Sequence, residues 1–143
     1  MGARVVRVAA FNDGDRDPVA LRPTQSALGE AGLAGLDRAV RDVGDAGLRV
    51  LLVLSNYWDD YGGLRQYARW AGVDARDRAR ARALCSVRVA GLIASHGAAL
   101  ASRVNPLTGV RYADDPAVLG WEVMNEPRGS HAGARAPGCV LRF

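Results

Sequence analysis

Seven consecutive residues, Trp121-Glu122-Val123-Met124-Asn125-Glu126-Pro127, set two carboxylic acids four positions apart at the end of an apolar run. A carboxyl group at the end of a buried strand is suited to general acid/base work, because burial and neighbouring charges can tune its proton affinity. The amide of Asn125 both donates and accepts hydrogen bonds and can orient a polar substrate beside it. Pro127 cannot continue a strand ladder and fixes the direction in which the chain leaves. Glu126 is therefore the candidate for proton transfer, and Asn125 its neighbour for substrate contact. Glu122 precedes Met124 by two residues and Glu126 by four, so period-two alternation puts all three on one strand face. A carboxylate buried there must pair or be protonated. A structural role is the reading for Glu122, and an ion pair inside the barrel between Glu122 and Arg7 is one alternative for Arg7.

These groups need a scaffold that brings distant segments together. Three short apolar runs, at residues 5–11, 50–54 and 118–124, are rich in branched or aromatic side chains and are bounded by Asn, Asp, Gly or Pro. They read as buried strands. Between the first two, Leu33, Leu36, Val40 and Val43 recur at three- and four-residue steps, with Gly47 as a C-terminal stop. Between the last two, a single helix is expected from about Asp77 to Val104, with Leu84, Val87, Gly91, Ala94 and Ala98 along its packed side. Strand, helix, strand, helix, strand is the order of parallel β/α units. The expected fold class is α/β, a partial (β/α)8 barrel of about three units, the second to fourth strands of eight. A complete barrel needs about 250 residues, against the 143 here. Gly2-Ala3-Arg4-Val5 has the form of Gly47-Leu48-Arg49-Val50, which leads from a helix into a strand. The expectation is that a first strand and helix belong before it. Residues 1–128 are read as the barrel portion and residues 129–143, which contain His131 and Cys139, as an irregular tail.

Composition narrows the alternatives. Of the residues, 49% are hydrophobic and 24% charged, as in globular chains. No apolar run approaches the roughly 20 residues that span a bilayer. The net charge is +4, but every one of the 19 basic residues is arginine, in a chain rich in alanine and glycine. That bias reflects composition more than a nucleic-acid surface, and neither nucleic acid nor membrane is an expected partner. Arg76, Arg78, Arg80 and Arg82 alternate with Asp74, Asp77 and alanines and read as a solvated helix face. Cys85 reads as a buried thiol, although pairing with Cys139 stays open. With no CxxC and no histidine at ligand spacing, neither metal nor cofactor is expected. His96, mid-helix, reads as structural. Tyr57, Trp58, Tyr61, Tyr67 and Trp70 cluster after the second run, where aromatic faces could stack on sugar rings; Tyr67 and Trp70 read instead as packing a short helix.

The match extends well beyond Asn-Glu-Pro. Residues 111–128 closely resemble the acid/base segment of plant-type endo-β-1,4-mannanases of glycoside hydrolase family five, and so does the preceding loop Asn105-Pro106-Leu107-Thr108-Gly109-Val110. The resemblance includes Val5-Val6-Arg7 through Phe11-Asn12-Asp13-Gly14, then Ser55-Asn56-Tyr57, Tyr61-Gly62-Gly63, Gln66-Tyr67 and Trp70, in order over most of residues 4–128. It implies an endo-acting, retaining hydrolase of β-1,4-mannan or a related polysaccharide, secreted from the cell. Glu126 is then the acid/base, Asn125 its sugar-binding neighbour, Arg7 a residue beneath the site that orients the nucleophile, and Asn56 a further, weaker candidate for substrate contact. Retaining enzymes need a second carboxylate roughly 5–5.5 Å from the first. The family's nucleophilic Glu of the seventh strand has no counterpart here, so the isolated chain is expected to be inactive. The alternative is a non-catalytic, glycan-binding barrel remnant. Val8-Ala9 also stands where the family pattern has Thr-Trp, which removes an aromatic surface near the cleft. The sequence does not indicate an oligomeric state.

Overall fold

The computed structural model describes residues 2–76 and 79–128; the tail expected at residues 129–143 lies outside them. Three parallel strands, β1 (Val5–Ala9), β2 (Arg49–Val53) and β3 (Val118–Glu122), form one sheet in the order β1-β2-β3. Helix α1 (Glu30–Asp45) joins β1 to β2. Helices α2 (Gly63–Ala71), α3 (Arg80–Leu84) and α4 (Val87–Ser102) lie between β2 and β3. This is an arc of a (β/α) barrel, as the alternation of apolar runs implies.

Helix α1 forms because Leu33, Leu36 and Val40 make one apolar stripe, which packs into a core with Val50 and Leu52 of β2. Each such side chain contributes about 1.5–3 kcal/mol on burial. The helix stops where Gly47 adopts φ +68° and Leu48 N–H returns to the carbonyl of Val43. β2 carries the most buried strand face, while Arg7 and Ala9 of β1 are exposed on the opposite side of the sheet.

The helical stretch before β3 departs from the expectation. Instead of one helix it forms α3 and α4, separated at Cys85-Ser86. There Cys85 and Ser86 N–H groups make tight bonds to the carbonyls of Arg82 and Ala83, and Ser86 turns extended. The break lets α3 pack on both α2 and α4. The buried face of α4 is Val89, Ile93, His96 and Leu100; Val87 is 86% exposed. Ala94, Ala98 and Gly91 are too small to decide which face turns inward, and the bulky residues decide it. Cys85 is disulfide-bonded rather than a thiol, and Cys139 lies outside the described residues. Nor do the arginines form a solvated face throughout. Arg80 folds under Tyr57, 5.5 Å from its ring centroid, and reaches Asp59 at 2.7 Å.

Two buried polar clusters tie the loops to the helices. Asp37 lies on the apolar stripe of α1, 1% exposed, and accepts from Arg103 Nε at 2.9 Å, Arg103 Nη2 at 2.7 Å and Tyr112 Oη at 2.8 Å. Asn105 Nδ2 donates to the Asp37 carbonyl at 3.0 Å. The segment leading into β3 is thereby fastened to α1. In the second cluster Arg22, itself buried, lies 5.5 Å from the ring centroids of both Tyr67 and Trp70 and bonds the carbonyls of Leu92 and Gln25. Tyr67 and Trp70 therefore pack helix α2, as their three-residue spacing implies. His96 Nε2–H donates to the Ala10 carbonyl at 2.8 Å, a structural bond that pins α4 to the end of β1.

Asp13 and His96 give this second cluster a distinctive pH response. Asp13 is buried without a hydrogen-bond partner for its carboxyl oxygens among the described residues, and burial pushes it from 3.8 up to about 7. Between those values the unfolded chain has lost a proton that the folded chain keeps, so stability falls as pH rises. Burial pushes His96 the other way, from 6.5 down to about 4. In that window the unfolded chain holds the extra proton, so stability rises with pH. Each slope is ~1.4 kcal/mol per pH unit, and the two cancel where the windows overlap. Urea denaturation at about pH 5 and about pH 6.5 checks this. Asp13→Asn is expected to gain about 2 kcal/mol of stability toward the higher pH, and His96→Gln to lose a similar amount.

Candidate active site

The ladder between β2 and β3 continues past their last strand residues. Asn125 N–H donates to the Ser55 carbonyl at 2.8 Å, and Tyr57 N–H donates to the Asn125 carbonyl at 3.1 Å. Ser55 Oγ closes on the Val123 carbonyl at 2.6 Å. These bonds hold residues 55–57 and 125–126 side by side at the C-terminal edge of the sheet, where barrel folds collect functional groups.

Arg7 spans that edge from β1. Its Nε donates to Glu122 Oε2 at 2.8 Å, and its Nη2 donates to Glu122 Oε1 at 2.7 Å and Asn125 Oδ1 at 2.8 Å. The guanidinium holds Glu122 below the usual carboxylate range, and Glu122 raises Arg7 in turn. The Arg7–Glu122 pair, the alternative reading for Arg7, is present. The expected common face for Glu122, Met124 and Glu126 is not. Regular pairing ends at Glu122, Met124 turns into the hydrophobic core, and Asn125 rather than Glu126 joins Arg7.

With its oxygen taken by Arg7, Asn125 donates through Nδ2 to Asn56 Oδ1 at 3.0 Å. Asn56 is buried, and its Oδ1 also accepts from Trp58 N–H at 3.3 Å. The chain folds back here because Gly62 and Gly63 take positive φ and pass so close to Asp13 and Trp58 that a Cβ on either would collide with backbone.

Glu126 is exposed and adopts φ +47°, a left-handed conformation costly for a side-chain-bearing residue and frequent where geometry serves function. Its Oε2 accepts from Trp58 Nε1 at 2.9 Å and lies 3.4 Å from Arg128 Nη2. The Arg128 guanidinium sits 4.9 Å from the Trp58 ring centroid. The Trp58 bond, with Arg128 and the more distant charge of Arg7, holds Glu126 below its ordinary range. The four residues singled out from sequence, Arg7, Asn56, Asn125 and Glu126, thus occupy one hydrogen-bonded group. Sequence reasoning noted Trp58 only as an aromatic and missed Arg128 altogether, although its position two residues after Glu126 was the available signal. Tyr57 is buried edge-on against Trp58 at 5.3 Å, whereas Tyr61 is 65% exposed. Among the described residues no group of three His, Cys, Asp or Glu could hold a metal ion.

An exposed carboxylate, fixed by an indole N–H and flanked by an oriented amide, can exchange a proton with a ligand that also needs hydrogen bonds. Comparison with known proteins places the chain in a family. The sequence matches the family described as GH family 5 beta-mannosidase-like over residues 1–139. It is 40% identical over 129 residues to mannan endo-1,4-beta-mannosidase 3 of Oryza sativa subsp. japonica, covering 89% of this chain and 27% of that protein. It is 34% identical over 128 residues to mannan endo-1,4-beta-mannosidase 1 of Arabidopsis thaliana, covering 90% of this chain and 30% of that one. The endo-beta-1,4-mannanase structure from Thermotoga petrophila superposes with a TM-score of 0.77 at 28% identity, over 87% of this chain and 29% of that one. The chain spans less than a third of the length of each of these three proteins.

Proposed function

The chain belongs to the GH family 5 beta-mannosidase-like family, and from that premise we propose that residues 2–128 carry the acid/base part of an endo-acting, retaining β-1,4-mannanase. The observation that carries this reading is the placement of Glu126. It stands exposed at the C-terminal edge of a parallel sheet, 2.9 Å from an indole N–H. Beside it, Asn125 is oriented by Arg7 at 2.8 Å and Asn56 at 3.0 Å.

In this reading Glu126 protonates the departing sugar oxygen, then deprotonates the water that releases the glycosyl-enzyme. Asn125 addresses the sugar hydroxyl next to the reacting carbon, a contact that strengthens in the transition state. Arg7 and Asn56 keep that amide aimed; Asn56, buried and bonded to Asn125 and Trp58, acts through Asn125 rather than on substrate itself. Glu122 is committed to Arg7 and cannot serve as nucleophile, so that carboxylate is assigned to a part of the barrel outside residues 2–128. The enzyme is assigned to the cell exterior, and the disulfide at Cys85 suits an oxidising compartment. No helix among the described residues is long and apolar enough to cross a membrane.

Two preparations test the proposal. The 143-residue chain alone is expected to release no product from mannohexaose. Turnover that disappears in Glu126→Gln would overturn the assignment of the nucleophile elsewhere. Grafted in place of the matching segment of the Thermotoga petrophila mannanase, residues 2–128 are expected to support β-mannan hydrolysis. A folded but inactive graft that binds mannohexaose would favour the non-catalytic remnant.

A further inference from the structure

We propose that Trp58 is a positioning residue that fixes which oxygen of Glu126 carries the transferable proton, reserving Oε1 for it. The proposal rests on the acid/base reading of Glu126, although its test does not require any glycan.

An indole nitrogen can only donate. Trp58 Nε1 lies 2.9 Å from Glu126 Oε2, so that oxygen must accept, whether the carboxyl is ionised or protonated. Arg128 Nη2, the second donor, addresses the same oxygen at 3.4 Å and likewise has no acceptor capacity. A proton on Oε2 would oppose two donor hydrogens. A proton on Oε1 opposes neither, and among the described residues the hydrogen bonds to Glu126 fall on Oε2. Oε1 is therefore the oxygen that gives up and regains the proton.

Trp58 is itself held for this task. Its backbone N–H donates to Asn56 Oδ1, its ring packs edge-on against Tyr57, and the Arg128 guanidinium covers its face at 4.9 Å. The charged groups that act on Glu126 are Arg128 and, at longer range, Arg7, whose charge is largely neutralised by Glu122. The loop after β2 thus controls the proton of a residue that follows β3. Because a single bond links the two groups, each should report the titration of the other.

Carboxyl carbon and indole nitrogen NMR titrations of the 143-residue chain provide the test. In the wild-type chain, the Trp58 indole N–H resonance is expected to shift with pH at the same midpoint as the Glu126 carboxyl carbon. In Trp58→Phe, which keeps a packed ring and removes the donor, the Glu126 midpoint is expected to move upward while circular dichroism stays unchanged. An indole resonance that is flat through the Glu126 titration would overturn the proposal without any variant needing to fold. An unchanged Glu126 midpoint in a folded Trp58→Phe chain would overturn it too. Neither result depends on mannan hydrolysis, so a failed graft and a failed titration remain distinguishable.

Discussion

Glu126→Gln in the grafted barrel is expected to lower kcat on mannohexaose by about a hundred- to ten-thousand-fold, with a much smaller change in KM. The amide matches the carboxylate in shape, and its oxygen can still accept from Trp58 Nε1, so the loop after β2 keeps its place. What is lost is the proton. A neutral amide cannot protonate a sugar oxygen with a poor leaving tendency, and it cannot activate water afterward, so both halves of a double displacement slow. Binding contacts made by Asn125 and its partners persist, which confines the effect to kcat. Initial rates of reducing-sugar release across substrate concentration separate the two parameters. A loss below tenfold, or one confined to KM, would reassign Glu126 to substrate binding.

The second large effect concerns the fold. Asp37→Ala is expected to destabilise the chain by about 3–5 kcal/mol, a large fraction of the marginal stability of a native domain. Asp37 is 1% exposed and accepts three hydrogen bonds, two from Arg103 and one from Tyr112. Among the described residues, removing it leaves a partly buried guanidinium with only the exposed Glu30 as counter-ion and a buried phenol without an acceptor. Asp37→Asn keeps one acceptor oxygen for Tyr112 and should fall between alanine and wild type. Urea midpoints of the three proteins give the ranking. A loss under about 1 kcal/mol for alanine, within the range of a single neutral hydrogen bond, would mean that the cluster contributes nothing beyond ordinary packing.

How much of this was readable beforehand depended on the kind of interaction involved. The strands were legible because their apolar runs are short, branched and bounded by turn residues. Helix α1 was legible because Leu33, Leu36 and Val40 contrast sharply with their neighbours. Helix α4 was misread where that contrast fails: alanines and glycines recur on several faces, and Val89, Ile93 and Leu100 rather than Val87 set the buried one. The break at Cys85-Ser86 has no proline or glycine to announce it, and Cys85 is held by a covalent bond whose pairing sequence spacing does not reveal.

The site divides along the same line. Arg7, Asn56, Asn125 and Glu126 were singled out through resemblance and strand-end position, both properties of local sequence, and the structure brings them together. The turn of Met124 into the core was not found, because it follows from irregular backbone after Glu122 rather than from alternation. The Trp58–Glu126 bond joins residues 68 positions apart and depends on a left-handed conformation at Glu126 that no propensity favours. Asp37 was not singled out from sequence. Its place on the apolar stripe, four residues after Leu33 and three before Val40, was the one sign that it would be buried.

Proton transfer by Glu126 is tested most directly by chemical rescue. In the grafted barrel bearing Glu126→Ala, an aryl β-mannoside with an activated leaving group needs no acid to form the glycosyl-enzyme, but its release then lacks a base. Added azide, which needs no deprotonation, is expected to restore turnover and give a mannosyl azide of β configuration. Turnover indifferent to azide, or an azide product of α configuration, would contradict the assignment.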